Sequence, residues 1–211
     1  MKLLTLGDSF TYGEELAHRN SAWPYVLGKK LDFEVTNLAI PGGGNTQIVR
    51  TAVQHAENFD LIIIGWSHWG RIEFADNDGI YDVWPGCQGK LFTHNVEHRL
   101  QVLNYIDRYH NDEYLIKQFF INVILLQNYL TQKNKRYLML TAFGVYDIFL
   151  DEKYANLLNQ ITKTYYVGWP ETMMQWTWQL PKGKYGHFLD QGHNVIAEKI
   201  YEHIRHLGWI S

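Results

Sequence analysis

The residues of this sequence that could carry out chemistry stand in four short segments that are far apart along the chain. These segments are the triplet GDS at 7–9, the glycines at 42–44, Ser67, and the stretch DQGH at 190–193. A serine hydroxyl becomes a useful nucleophile when a histidine takes its proton, and a carboxylate can orient that histidine. Backbone N–H groups of a glycine turn can approach a developing oxyanion. These residue types indicate acyl transfer through a serine.

Such chemistry requires a fold that brings the four segments together, and the hydrophobic patterning predicts one. Short apolar runs predict strands at 2–6, 33–40, 60–65 and 136–143, with a weaker candidate at 162–167. Helical spacing occurs at 21–31, 46–58, 93–109, 112–131 and 192–207. Strands that alternate with helices predict an α/β fold, a three-layer α/β/α sandwich with helices on both faces of a mostly parallel sheet.

That fold gives the polar segments a common location. In an open parallel sheet, ligands bind beyond the carboxyl ends of the strands. Ser9 follows the first predicted strand, the glycines at 42–44 follow the second, and Ser67 follows the third. The stretch at 190–193 leads into the last predicted helix. We therefore expect the four segments to converge on one edge of the sheet.

Three of these stretches make the sequence resemble the SGNH hydrolases, also called GDSL esterases and lipases. GDS at 7–9 is similar to the family's first block, NLAIPG at 37–42 to its second, and DQGH at 190–193 to its last block, D-x-x-H. The resemblance implies a flavodoxin-like sheet and a catalytic triad of Ser9, Asp190 and His193. It also implies that a backbone N–H of Gly42 binds the oxyanion.

One block departs from the family pattern. The family has G-x-N in its third block, with the asparagine side chain donating to the oxyanion, whereas this chain has GWS at 65–67. Ser67 is therefore the expected replacement donor, although a hydroxyl is shorter than a carboxamide. Asn45 is the alternative donor and a candidate substrate contact. Trp66 and Arg71 are the other candidate substrate contacts, with Arg71 placed either to pair with Glu73 or to meet an anionic substrate.

The expected function is hydrolysis of an ester, with a small acyl group on a carbohydrate or another polar alcohol, without metal or organic cofactor. A long aromatic loop or lid around 66–111 is expected to overhang the site within one domain of 1–211. A first alternative is a carbohydrate-binding or scaffold protein that keeps the fold without turnover. A second is a zinc-dependent hydrolase that uses HNVEH at 94–98, which fits an inverted zinc-peptidase signature. Its two histidines would face the polar side of a predicted helix, which favours a solvated surface instead.

Composition excludes several other classes of protein. The chain of 211 residues has 19 Lys and Arg against 22 Asp and Glu, a net charge of −3, so we expect no nucleic-acid partner. Its apolar runs are too short to span a bilayer, and no signal peptide is expected at the N-terminus. A single cysteine, Cys87, cannot form an internal disulfide. These features predict a soluble, cytoplasmic protein.

Overall fold

Four parallel strands form the central sheet of the computed structural model, which describes residues 1–77, 79–84, 96–144 and 146–210. In chain order the strands of the described residues are β1 (Lys2–Leu6), β2 (Glu34–Asn37), β3 (Leu61–Trp66), β4 (Ile72–Asp76), β5 (Gly79–Val83) and β6 (Arg136–Thr141). The sheet has the order β2-β1-β3-β6, and β4 and β5 form a separate antiparallel hairpin. This order reverses direction between β1 and β3, as in flavodoxin-like sheets.

The α-helices cover both faces of the sheet. They are α1 (Ser9–Tyr12), α2 (Trp23–Leu31), α3 (Asn45–His55), α4 (Val96–Tyr109), α5 (Asp112–Gln132), α6 (Ala155–Leu158), α7 (Met173–Trp176) and α8 (Asp190–His206). On one face, α3 and α5 pack against Leu4 and Ile62, and on the other α2 and α8 pack against Leu3 and Ile63. Neighbouring strand residues point to opposite faces, so β3 is buried along its whole length. The predicted three-layer α/β sandwich is confirmed.

The sequence predicted the four strands of the sheet, but it missed β4 and β5 and predicted one strand that is absent. The first strand has the predicted bounds, β2 and β6 are shorter than predicted, and β3 is shifted by one residue from the predicted 60–65. The predicted strand at 162–167 is wrong, because this segment contains a 3-10 turn at Lys163–Tyr165. Its backbone pairs with the sheet through one isolated bridge, from Tyr166 to Met139. No described helix has the length and apolar character needed to cross a membrane.

The described part of the segment that follows β3 has regular secondary structure. It contains the β4–β5 hairpin and α4, which share a small apolar cluster of Val83, Val102 and Ile106. The hairpin lies beside α3, since Arg50 of that helix bonds to Glu73 of β4 at 2.6 Å. The described part of the predicted 66–111 insertion is therefore a packed layer at the carboxyl edge of the sheet.

Candidate active site

The GDS triplet forms the turn from β1 into α1. Asp8 is fully buried and caps the helix, because its Oδ1 accepts a hydrogen bond from the N–H of Phe10 at 3.0 Å. A Cβ at Gly7 would lie 2.3 Å from Oγ1 of Thr11, so only glycine fits this tight turn. Ser9 becomes the first residue of α1 at the carboxyl edge of the sheet, as the sequence predicted.

Ser9 is hydrogen-bonded to a histidine that is in turn bonded to a carboxylate. Oγ of Ser9 lies 3.0 Å from Nε2 of His187, and Nδ1 of His187 lies 2.8 Å from Oε2 of Glu15. A second carboxylate, that of Glu14, lies 3.5 Å from the same Nε2 atom. A nucleophile bonded to a base whose far nitrogen is held by an acid is the arrangement of a serine-hydrolase triad.

Local backbone geometry holds Glu15 in this arrangement. The residue has a left-handed φ of 66°, and its carboxylate accepts N–H bonds from Tyr185 at 2.9 Å and His187 at 3.2 Å. A Cβ at Gly183 would lie 2.5 Å from Cδ of Glu15, so glycine allows the loop to approach the carboxylate. Partial burial raises the pKa of Glu15, but these hydrogen bonds outweigh it and bring the pKa below its ordinary value. Glu15 is therefore ionised at neutral pH.

The predicted base, His193, has a different partner. Its Nδ1 accepts the N–H of Trp23 at 3.1 Å, which satisfies a free donor at the start of α2. The residue is only 1% exposed, and burial lowers its pKa to about 4. The ring is thus neutral and joins α8 to α2. The prediction that pairs Ser9 with His193 is wrong, since the histidine bonded to Ser9 is His187.

Asp190 is also displaced from its predicted role. It is exposed in the first turn of α8, where a negative charge interacts favourably with the helix dipole. The D-x-x-H spacing in DQGH thus belongs to a helix start. When His187 is taken as the base, the position three residues earlier holds Lys184 instead of an acid. Glu15, from the segment that follows the nucleophile, occupies the place of the missing aspartate.

The predicted oxyanion turn is present at residues 40–43. Gly43 donates its N–H to the carbonyl of Ile40 at 2.9 Å, Pro41 precedes Gly42, and Gly42 has a φ of 81°, which together form a type II turn. Asn37 ties this connection to α1 by donating to the carbonyl of Thr11 at 3.0 Å. Within the described residues, the N–H groups of Ser9 and Gly42 have no protein acceptor. The described part of the fold therefore leaves both N–H groups unpaired, and their binding of an oxyanion stays a prediction.

The two side chains predicted to complete the oxyanion hole are engaged elsewhere. The Ser67 hydroxyl is buried and donates to Oδ2 of Asp8 at 2.9 Å. The Asn45 carboxamide donates to the carbonyls of Ser67 and His68 at 3.2 Å and accepts the N–H of Ser67 at 2.9 Å. The predictions of Ser67 as a direct donor and of Asn45 as a donor or substrate contact are therefore wrong. Ser67 fixes the loop after β3 to the nucleophile turn, and Asn45 fixes the same loop to the start of α3.

The two remaining predicted substrate contacts, Trp66 and Arg71, lie in different surroundings. Trp66 is fully buried and packs edge-on against Phe119, so its assignment as a substrate contact is wrong. Arg71 lines a cavity and donates Nη1 to Asp8 at 3.2 Å, while Glu73 pairs with a different arginine. Burial raises the pKa of Asp8, and Arg71 opposes this by favouring the ionised carboxylate.

The zinc alternative begins in residues outside the described part of the chain. His94 and Asn95 of the HNVEH stretch lie there, so that site stays a prediction. Among the residues that are described, no group of three or more His, Cys, Asp and Glu side chains is arranged to hold a metal ion.

Comparison with solved structures shows that the chain has the fold of GDSL/SGNH hydrolase structures. The structure is similar to TesA, with a TM-score of 0.58 and 14% identity over 98% of this chain and 99% of that one. It is also similar to a psychrotrophic esterase EstA from Pseudoalteromonas sp., inhibited by monoethylphosphonate, with a TM-score of 0.57 and 14% identity over 98% and 97%. A family two carbohydrate esterase from Clostridium thermocellum, in complex with cellohexaose, has a TM-score of 0.57 and 14% identity over 99% and 65%.

Within this fold the chain belongs to DUF6071, a family of unknown function, whose family model matches residues 9–211. No curated protein matches the sequence. The matched range contains the serine, the histidine and the glutamate described above.

Proposed function

We propose that this protein is a serine esterase that acts through an acyl-enzyme on Ser9. The observation that carries the proposal is the 3.0 Å hydrogen bond between Oγ of Ser9 and Nε2 of His187, with Glu15 holding the opposite ring nitrogen. The esterase structures that share the fold support the reaction class. The chemistry needs no metal or organic cofactor.

The reaction follows from the geometry. Oγ of Ser9 attacks the ester carbonyl carbon while its proton moves to Nε2 of His187, and the carbonyl oxygen becomes an oxyanion. The N–H groups of Ser9 and Gly42 bind that oxyanion. His187 then gives its proton to the departing alkoxide, so the alcohol leaves and an acyl-Ser9 ester remains. Water attacks this ester with His187 again as base, which releases the acid and restores the serine.

Two carboxylates stabilise the imidazolium that forms during each step. Glu15 holds Nδ1 and fixes the orientation of the ring, while Glu14 lies near Nε2. The oxyanion hole has two backbone donors and lacks the third, side-chain donor of the SGNH pattern. Since removal of one such donor typically lowers kcat by ~10²–10³-fold, slow turnover or an activated ester is the expected natural regime.

The substrate class we propose is a small acyl ester of a carbohydrate or another polar alcohol. Structures that share the fold include a carbohydrate esterase in complex with cellohexaose, which supports a polar alcohol. A carbohydrate-binding protein without turnover is the second candidate, favoured by the engagement of Ser67 with Asp8.

Labelling with a fluorophosphonate tests the proposed function. The wild-type protein should be labelled at Ser9, as mapped by peptide mass spectrometry, and should hydrolyse p-nitrophenyl acetate. Ser9→Ala should lose both properties while its circular dichroism spectrum is unchanged. Absence of labelling and hydrolysis in a folded wild type would favour the binding protein. Hydrolysis that persists in Ser9→Ala and is abolished by phenanthroline would favour the zinc alternative.

A further inference from the structure

A cavity of about 350 Å³ lies beside the nucleophile turn and is not used by the mechanism above. Its described lining consists of His68, Trp69, Gly70, Arg71, Trp84, His110 and Phe143. Trp84 comes within 3.9 Å of the position that a Cβ of Gly42 would occupy. Phe143 packs at a tilt against Phe10, the neighbour of Ser9, with ring centroids 4.9 Å apart. The walls of the cavity therefore contact Gly42 and the neighbour of Ser9, so a group bound in the cavity lies beside the candidate site.

Arg71 presents an unused edge of its guanidinium at this cavity. Its Nη1 atom donates to Asp8 at 3.2 Å and to the carbonyl of Gly43 at 2.9 Å, which fixes the group in place. The rings of Trp84 and Phe143 lie 4.9 and 5.2 Å from the guanidinium carbon. Nε and Nη2 have no acceptor among the described residues. These two atoms form the planar fork that binds a carboxylate with two parallel hydrogen bonds.

Two histidines add polar atoms to the same cavity. Nδ1 of His68 accepts the N–H of Gly70 at 3.0 Å, so the proton of the neutral ring is on Nε2. Burial and the nearby Arg71 lower the pKa of His68, which keeps the ring neutral and makes Nε2 a donor. His110 is held by Asp112 through Nε2 at 2.8 Å, and its Nδ1 is buried without a partner. When His110 is protonated, this nitrogen is a further donor.

The chemistry of the lining selects a planar anion on an apolar body. No carboxylate is among the described residues that line the cavity, whereas Arg71 and His68 supply hydrogen-bond donors. The rings of Trp69, Trp84 and Phe143 supply apolar walls. Free phosphate is tetrahedral and strongly hydrated, so contact with these apolar walls would add nothing to its binding free energy. A carboxylate joined to a short carbon chain or ring satisfies both parts of the lining.

We propose that this cavity binds a carboxylate carried by the substrate, so that the preferred esters bear a carboxylate a few bonds from the scissile carbonyl. The inference rests on the proposed esterase function and narrows its substrate class. Nε and Nη2 of Arg71 bind the two carboxylate oxygens, and His68 donates to one of them. The aromatic rings contact the carbon atoms that join the carboxylate to the ester.

Matched charged and neutral esters test this inference. One pair is p-nitrophenyl hydrogen glutarate and its methyl ester, with the charge on the acyl side; the other is 4-acetoxybenzoate and its methyl ester, with the charge on the alcohol side. For at least one pair, kcat/KM should favour the charged ester by about tenfold or more, as one charge-assisted hydrogen bond supplies. Equal kcat/KM values within both pairs would contradict the inference.

Three variants identify the groups responsible for the preference. Arg71→Met and His68→Phe should each reduce the charged-to-neutral ratio of kcat/KM. Because the ratio compares two substrates on the same variant, it remains informative even where the loss of Arg71 disturbs Asp8. Arg50→Gln is the matched control, because this arginine pairs with Glu73 outside the cavity and should leave the ratio unchanged. A ratio that falls in the control as much as in Arg71→Met would contradict the assignment.

A binding experiment separates this inference from the proposed function. Ser9→Ala should show saturable quenching of tryptophan fluorescence by glutarate or benzoate, absent in its Arg71→Met double variant, and little response to inorganic phosphate. Carboxylate binding to Ser9→Ala, together with a folded wild type that has no esterase activity, would refute the esterase proposal and support the cavity assignment. Ester hydrolysis with no carboxylate binding, or tighter binding of phosphate, would refute the cavity assignment alone.

Discussion

Two buried histidines six residues apart, His187 and His193, have opposite surroundings. His187 lies in a glycine-flanked loop and meets two side chains from the first segment of the chain, those of Ser9 and Glu15. His193 lies within α8 and meets one backbone N–H. A buried histidine with a nucleophile on one nitrogen and a carboxylate on the other can accept and return a proton. A buried histidine whose ring nitrogen already accepts a hydrogen bond from a backbone N–H has a structural role instead.

The largest expected effect comes from replacing each histidine in turn by glutamine. His187→Gln should lower kcat for p-nitrophenyl acetate by ~10²–10⁴-fold, because the general base is removed. His193→Gln should keep kcat within about tenfold of wild type when rates are corrected for the folded fraction. Steady-state kinetics at 25 °C, with Ser9→Ala as the background rate, checks both. Equal losses of kcat in the two variants would contradict the assignment of different roles to the two histidines.

Replacement of Glu15 should lower kcat, whereas replacement of Asp190, the acid that the DQGH spacing predicted, should not. Glu15→Gln removes the charge that orients His187 and stabilises its imidazolium, and should lower kcat by up to ~10⁴-fold with little change in KM. Asp190→Asn is the matched control at an exposed position and should leave kcat unchanged. A silent Glu15→Gln together with a damaging Asp190→Asn would restore the pairing that the DQGH spacing suggested.

The core histidine should instead control stability. Removal of the His193 acceptor leaves the N–H of Trp23 buried and unpaired, so His193→Ala should lower the free energy of unfolding by about 1–3 kcal/mol or more. His187→Gln should change it less, because its loop lies at the edge of the sheet. Urea denaturation followed by far-ultraviolet circular dichroism measures both values. A more destabilised His187 variant would contradict the structural role of His193.

Because of His193, we also expect the stability of the protein to fall as pH falls. Its pKa is about 4 in the folded protein, whereas an unfolded histidine titrates near ~6.5, so the unfolded chain takes up the proton first as pH falls. The contribution of neutral His193 to the free energy of unfolding is complete above pH ~6.5. It is lost progressively towards pH ~4, which lowers the free energy of unfolding by about 3 kcal/mol in all. Asp82, whose pKa burial raises to about 6, acts in the opposite direction over the same window.

The difference between wild type and His193→Gln isolates this contribution. Unfolding free energies measured from pH 4 to 8 should converge as pH falls, because the variant lacks the titrating group while Asp82 is common to both proteins. Parallel curves would show that His193 does not titrate differently in the folded and unfolded states.

The smallest expected effect is at Ser67. Since its hydroxyl donates to Asp8, Ser67→Ala should lower kcat less than about tenfold, by loosening the nucleophile turn, and Ser67→Asn should not raise it. Kinetics with p-nitrophenyl acetate, alongside urea denaturation to detect a loss of stability, checks this. A ~10²-fold loss of kcat at unchanged stability would show that the hydroxyl reaches the oxyanion after all.

The sheet and the nucleophile could be predicted from the sequence because both depend on short-range patterns. The buried run at 61–64 defines the central strand, and the GDS turn follows from its tight glycine and its capping aspartate. The turn at 40–43 is equally local, since Pro41 and Gly42 have the residue types that a type II turn requires. Each of these segments carries its conformation in a few adjacent residues.

The partners of Ser9 could not be predicted in the same way because they depend on loop geometry across the fold. Glu15 reaches His187 through a left-handed residue and a close approach at Gly183, and neither has a spacing signature. The DQGH stretch has the spacing of an acid–base pair but forms a helix start. A usable signal was the pair of glycines at 183 and 186, which mark a tight turn around His187 just before α8.

A structure of the protein after reaction with a phosphonate ester tests the Ser9, His187 and Glu15 assignment most directly. We expect phosphorus to be bonded to Oγ of Ser9, with a phosphonyl oxygen at about 2.7–3.1 Å from the N–H groups of Ser9 and Gly42. Nε2 of His187 should lie within hydrogen-bond distance of the adduct, and Glu15 should still be bonded to Nδ1. An adduct on Ser9 with the ring of His193 turned towards it, or an adduct on another residue, would contradict the account.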